Sequence, residues 1–321
     1  MQKYNPRDMR ILYELSYDSR VKQKDICRKL HISPQLLNYT IDGLKKKKII
    51  LGRLAVMDPA RFGLTGITPF YSYIEFKRSR IEEMISYLCR LGSVVRIIEL
   101  WHGADLMVEF SVTNLSSFNK INSEFLERFS DSIGVVGVYP VAVRHIYSKR
   151  YLYKKSKRSM HLVLSGDREP VNLNRRSKLI LRCLADDPSA SVIKIASKTG
   201  IDPRTVAKTV SVLKERRVIR GFSILIDNQA LGISSCIMLL NLTDAGQDEV
   251  SKLIEYCRGI AEITDITKVI GRYSLMITIE SLEKFSPIVD MLRDEFRIVD
   301  HMIFDVRRVR KHISIPADIF Y

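Results

Sequence analysis

Gln35, Asn38 and Tyr39 share one side of a segment whose other side is Leu37, Ile41 and Leu44. Arg204, Thr205 and Lys208 stand in the same way opposite Val206, Val210 and Leu213. Apolar residues at i, i+4 and i+7 form the inward stripe of an amphipathic helix, so the polar sets face outward. Amide side chains offer a paired donor and acceptor that match adenine in the major groove of duplex DNA, and Arg or Lys matches guanine. Each segment opens with a capping residue followed by proline, Ser33-Pro34 and Asp202-Pro203, which is where a helix tolerates proline best. A short helix and a tight turn (His31-Ile32, Gly200-Ile201) precede each one. This is the spacing of a helix-turn-helix, whose second helix enters the groove by its N-terminus.

Cations follow both helices: Lys45, Lys46, Lys47 and Lys48 in the first, Lys214, Arg216 and Arg217 in the second, with Arg53 and Arg220 just beyond. They suit phosphates, which supply affinity and position without reading sequence. Residues 49–56 and 218–224 each read as a hairpin centred on Gly52 or Gly221, a wing. For one such helix alone, a solvated charged face explains the pattern equally well. Two in register make double-stranded DNA the expected partner.

The register is that of an internal repeat. At an offset of 169, Asn5 meets Asn174, Ile11 meets Ile180, Pro34 meets Pro203, Leu44 meets Leu213, Gly52 meets Gly221 and Leu106 meets Leu275. Beyond residue 112 the offset becomes 167, pairing Phe118 with Phe285 and His145 with His312. Each copy must therefore hold a complete unit.

Charge follows the repeat. The chain carries a net +16, with 13 Lys/Arg against 6 Asp/Glu in residues 1–58 and 12 against 4 in residues 173–222. Residues 59–147 balance at 9 against 9, and residues 223–321 are acidic at 11 against 15. Two basic modules alternating with two neutral or acidic ones point to two polyanion-binding units. Five scattered cysteines without a C-x-x-C, and six dispersed histidines, argue against disulfides and a zinc site. No cofactor is expected. The N-terminus lacks the apolar region of a signal peptide, and no apolar run approaches the length of a membrane helix, so the expected location is the cytoplasm, away from membranes.

After each basic module comes a strand, a helix, two strands, a helix and a strand, the ferredoxin-like βαββαβ order. The first runs over 70–76, 81–91, 94–101, 106–110, 115–129 and 135–146, and the second over 236–242, 249–258, 263–270, 275–279, 282–296 and 301–309. The expected architecture is α+β: two winged helix-turn-helix domains (1–64 and 173–232) alternating with two ferredoxin-like domains (65–147 and 233–321), joined by a basic linker (148–172). Helices on one face of such a sheet leave the other face to be covered, so the two sheets are expected to pair within one chain. The linker reads either as a solvated connector or as a segment lying on DNA, with Leu162-Val163-Leu164 docked on the protein.

The run from Asn174 through Leu184, the Ile201-Asp-Pro-Arg-Thr-Val segment, Val218-Ile-Arg-Gly-Phe and Asp227…Leu231-Gly232 resemble the Lrp/AsnC (feast/famine) family of transcriptional regulators. The resemblance covers nearly the whole chain twice, and the βαββαβ unit resembles that family's RAM-type effector and oligomerisation domain. It implies promoter binding, control by an amino acid or similar small molecule, and pairing into higher oligomers. The chain looks like a covalent form of the family's dimer. The family's effector loop often reads Gly-x-Tyr-Asp. Gly103 and Asp105 keep the aspartate without the tyrosine, and Gly271 and Tyr273 keep the tyrosine without the aspartate. Glycines needed only for a tight hairpin explain these positions at least as well.

Two rival readings stand beside the regulator. Some tetrapyrrole-pathway decarboxylases resemble the same fold, and Trp101-His102, His145 and His312 are the hooks for such an enzyme. With no clustered acid/base pair, these histidines read as structural and the chain as not an enzyme. An architectural protein that coats DNA without sequence choice is the other rival.

Overall fold

The computed structural model describes residues 5–243 and 246–320. The first unit opens with α1 (Pro6–Tyr17), capped by Asn5, whose side chain accepts from the Arg7 N–H. Next come α2 (Gln23–Leu30) and α3 (Pro34–Lys46), the latter capped by Ser33, whose hydroxyl accepts from the Leu36 N–H. The chain continues into β1 (Ile50–Met57), β2 (Thr65–Tyr73), α4 (Arg78–Arg90), β3 (Val94–Trp101), β4 (Leu106–Val112), α5 (Leu115–Arg128) and β5 (Ile133–Tyr147).

Between the units lies β6 (His161–Ser165). The second unit then repeats the order as α6 (Arg175–Asp186), α7 (Val192–Thr199), α8 (Pro203–Glu215), β7 (Ile219–Ile226), β8 (Ser234–Leu242), α9 (Gln247–Gly259), β9 (Ile263–Val269), β10 (Leu275–Ser281), α10 (Ser286–Glu295) and β11 (Ile298–His312). Equivalent residues do equivalent work. Asn174 caps α6 as Asn5 caps α1, and Asp202 caps α8 as Ser33 caps α3.

The two βαββαβ units close into one barrel. The strand order is β2-β4-β3-β11-β8-β10-β9-β5, and β5 returns to pair with β2. Closure depends on the two longest strands. The first half of β5 pairs with β2 of its own copy and the second half with β9 of the other. Likewise β11 pairs first with β8 and then with β3. The open faces expected from the sequence thus bury each other. Phe70 stacks on Phe304 at 4.8 Å within an interior that also holds Tyr139, Leu239 and Met276.

Strands covered on both faces lose the period-two alternation, and all seven residues of β4 are buried. This explains why β2 begins at Thr65 rather than near residue 70. Ile67 to Tyr71 are all buried, and Pro69, opposite Val138 of β5, falls where the β2–β4 partners skip from Ile67–Phe110 to Phe70–Met107, as a residue without an N–H requires.

The wings differ from expectation. Neither segment folds back as a hairpin. β1 and β7 are single strands that pair with each other, antiparallel, with Ala55 opposite Phe222 and Arg53 opposite Ile224. Gly52 and Gly221 lie within these strands rather than at turns, with open space where a Cβ would be. The exchange completes both helical cores. Ala55 and Met57 of the first copy pack with α6–α8, while Ile224 of the second packs with α1–α3. Arg20 spans the junction, donating to the Pro188 and Ala190 carbonyls at 2.8 and 2.7 Å with its guanidinium 4.0 Å from the Phe222 ring.

Segment 148–172 is not a loose connector. Tyr151 and Leu152 are buried, and β6 adds to the free side of β5. Its cations are largely engaged by the protein. Lys149 pairs with Glu280, Lys154 with Glu262 and Arg158 with Glu14, while Arg150 donates to the Arg258 and Gly259 carbonyls. The buried Asp58 carboxylate pins the end of the segment, accepting from the Ser165 N–H and pairing with Arg168, both at 2.8 Å.

Candidate nucleic-acid interface and a charged chamber

The outer faces of α3 and α8 are free among the described residues. Gln35, Asn38 and Tyr39 are exposed, Tyr39 at 80%. Asn38 accepts a hydrogen bond from the Gln23 amide of α2 at 2.9 Å, which orients it at the mouth of the helix-turn-helix. On α8, Arg204 and Lys208 are exposed and Thr205 is half-buried. The Asp202 cap takes the Arg204 and Thr205 N–H groups, fixing the start of the helix under both side chains. Lys45, Lys46, Lys47 and Lys48 are exposed, Lys45 pairing with Asp42 at 3.3 Å. Arg53, Lys214, Arg216 and Arg217 are exposed too. Arg220, expected at phosphate, is less exposed than these cations. It is half-buried, Nη1 has no hydrogen-bond partner, and burial lowers its pKa with only Asp58 opposing.

The effector-loop residues are occupied structurally. Gly103 (φ +78°) and Gly271 (φ +147°) take backbone conformations that favour glycine. A Cβ would meet Phe304 at 3.3 Å and Tyr139 at 3.1 Å respectively. The Asp105 carboxylate accepts from the Tyr73 N–H at 2.8 Å, and Tyr273 is buried against Tyr139 inside the barrel.

The sequence reading missed a chamber of about 520 Å³ between the β1–β7 ribbon and one end of the barrel. Its floor carries Arg96, Glu109, Arg144, Asp265, Glu280 and His312. Arg144 grips Glu109 with both terminal nitrogens at 2.9 and 2.8 Å and reaches Asp265 at 3.3 Å. Burial would raise Glu109, but Arg144 and Arg96 outweigh it and hold the carboxyl below the usual range. Lys149 does the same for Glu280. For Asp265 burial wins, and its pKa is raised despite Arg144. Burial, reinforced by Arg96, pushes His312 down to about 3, so it is neutral at pH 7.

The available signal was a lone charge within an apolar strand: Arg96 among Val94, Val95, Ile97 and Ile98, and Glu109 between Val108 and Phe110. The other histidine hooks lie elsewhere. His102 faces Asp305 at 3.3 Å beside the exposed Trp101, and His145 stacks on His161 with ring nitrogens 2.9 Å apart. Among the described residues no group of His, Cys, Asp or Glu is placed to hold a metal ion, and no helix is long and apolar enough to cross a membrane.

A winged helix-turn-helix DNA-binding family model matches residues 4–50 and again 173–220. An uncharacterised HTH-type transcriptional regulator of Pyrococcus furiosus is 29% identical over 120 residues, covering 36% of this chain and 77% of its own length. The regulatory protein AsnC of Haemophilus influenzae is 21% identical over 131 residues, covering 41% of this chain and 86% of its own. The chain is similar to transcriptional regulators of the Lrp/AsnC family. One unit of this tandem chain thus accounts for most of a relative, and the double helix-turn-helix match marks the duplication. The siroheme decarboxylase NirDL shares the fold of both units together, with a TM-score of 0.59 and 17% identity over 97% of this chain and 94% of that one.

Proposed function

We propose that this tandem chain is a sequence-specific DNA-binding transcriptional regulator that acts as a built-in pseudo-dimer. Its two recognition helices would enter successive major grooves and read two unlike half-sites. The observation that carries this reading is the pair of helices α3 and α8, exposed at their N-terminal ends and joined through one exchanged ribbon. Half-sites set about one helical turn apart suit such a rigid pair. Gln35 and Asn38 would read adenine in one half, and Arg204 and Lys208 guanine in the other, with Tyr39 and Thr205 alongside. Lys45 to Lys48, Arg53, Lys214, Arg216 and Arg217 would hold phosphates. Regulation by a small molecule and further self-association fit the family.

Selection of binding sites from random duplex DNA at fixed salt tests this reading. An enriched motif with two unlike halves is expected. A strict palindrome would contradict the unlike readout, and salt-sensitive binding without enrichment would leave an architectural DNA-coating protein.

A decarboxylase acting on a tetrapyrrole is a second reading, favoured by the chamber with Arg96 and His312 on its floor. Against it, a histidine with a pKa of about 3 holds no proton at neutral pH and cannot act as a general acid. A shifted absorbance band on adding an iron tetrapyrrole, followed by release of carbon dioxide, would establish the enzyme.

A further inference from the structure

The chamber joins two parts with different roles. Its roof is the ribbon face opposite the helical cores, through Leu54 and Val56 of β1 and Ser223 and Leu225 of β7. Its floor is the barrel end. A volume of about 520 Å³ lies within the range of small-molecule sites.

Most floor charges are satisfied by one another, but Arg96 is an exception. Its Nε is buried without a hydrogen-bond partner, and the nearest acid, Glu109, lies 4.0 Å away and is already held by Arg144. Arg96 pairs with Glu109 across β3 and β4, and Ser111 sits two residues along the same face of β4. The Ser111 hydroxyl is likewise buried without a partner. Buried polar groups are normally satisfied. Two neighbouring unsatisfied donors beneath an apolar roof form a half-built site for an anion with an apolar body.

We infer that the chamber binds a small organic carboxylate, with its carboxylate on Arg96 and Ser111 and its apolar body against the ribbon. Arg144 and Lys149 do not compete for the anion, because Glu109, Asp265 and Glu280 already engage them. The roof also offers a route to the outer surface. α3 ends at Lys46 and β1 begins at Ile50, while α8 ends at Glu215 and β7 begins at Ile219. A ligand that shifts the ribbon therefore biases both recognition helices at once. This coupling rests on the DNA-binding reading; ligand binding itself does not.

Calorimetric titration of the full chain with octanoate, and with octanol as its uncharged equivalent, tests the site. One octanoate per chain is expected, bound about ten-fold or more tighter than octanol, as a charge-assisted contact implies. Arg96→Met should reduce octanoate binding to the octanol level, and Leu54→Trp, which fills the roof, should abolish both. Equal binding of the two probes, no binding, or octanoate binding unchanged by Leu54→Trp would overturn the site. If Arg96→Met fails to fold, the probe ratio and Leu54→Trp still decide. Octanoate should also change DNA affinity at least two-fold. Unchanged DNA affinity with octanoate bound would overturn the coupling alone, and absence of DNA binding would overturn the regulator while leaving the ligand site standing.

Discussion

The two copies agree where the chain must fold and disagree where it must recognise. Asn5 and Asn174 cap equivalent helices, and Lys48 and Arg217 take the same left-handed conformation at φ 56° and 58°. On the recognition faces the equivalents diverge: Gln35 against Arg204, Asn38 against Ala207, Tyr39 against Lys208. The chamber floor diverges further, with Arg96 equivalent to Asp265 and Ser111 to Glu280. In a dimer of identical chains these floor positions would set arginine beside arginine or aspartate beside aspartate. Joining the copies covalently frees them to differ, and the floor becomes a network of opposite charges. At both candidate sites the divergence changes chemical class, from amide to cation between Gln35 and Arg204 on the recognition faces and from cation to anion between Arg96 and Asp265 on the floor.

Restoring symmetry should therefore do most damage on the floor. Asp265→Arg, which copies Arg96, removes a partner of Arg144 and buries a third arginine against Glu109. Breaking a buried ion pair this way costs about 3–5 kcal/mol. Urea unfolding should show that loss. A change of less than about 0.5 kcal/mol, the scale of ordinary surface substitutions, would mean the floor charges are not coupled.

His145 and His312 are equivalents that remained alike, and burial depresses both, to about 4 and about 3. Lys268, Arg168 and His161 face the first, and Arg96, Arg144, Lys149 and Glu109 the second. An unfolded histidine takes up its proton near pH 6.5. The folded state resists until much lower pH, so this contribution is complete above pH 6.5 and is lost as pH falls from there toward 4 and then 3. Stability should drop by a few kcal/mol across that window, and His312→Asn should flatten the fall. A pH-independent midpoint between 7 and 4 would show that neither ring is held neutral.

The sequence disclosed the repeat, the helix-turn-helix faces and the βαββαβ order, because helix caps and apolar stripes are local signals. It did not disclose the exchanged ribbon. Residues 49–56 and 218–224 each read as a complete hairpin, and only the tertiary fold shows that each is one strand whose partner lies in the other copy. The chamber was hidden for the same reason. Arg96 and Asp265 are far apart in sequence and meet only when the barrel closes.

At the recognition face the expected effect is smaller and confined to one half-site. Arg204→Gln, which copies Gln35, exchanges a guanine-matching fork for an adenine-matching amide. Competition binding should show a loss of about 1–3 kcal/mol at one base pair, with the other half-site unchanged. Equal weakening on all sequences would reassign Arg204 to phosphate.

The smallest test isolates the backbone. His31 ends α2 in the left-handed region at φ 53°, its N–H bonded to the Cys27 carbonyl; Gly200 ends α7 at φ 68°, bonded to Ala196. The geometry is shared, but only one copy uses the residue that adopts it without steric cost. A side chain at Gly200 would meet nothing within 4 Å, so space does not separate the two positions. His31→Gly relieves a left-handed side chain, a gain of about 1–2 kcal/mol. Glycine's greater freedom in the unfolded chain takes back about 0.4–1 kcal/mol. Denaturation should therefore show a net stabilisation of about 1 kcal/mol or less for His31→Gly and a loss of similar size for Gly200→His. Opposite signs would mean that the His31 ring makes a contact outweighing the backbone cost, and that the two turns are matched in shape without being matched in energy.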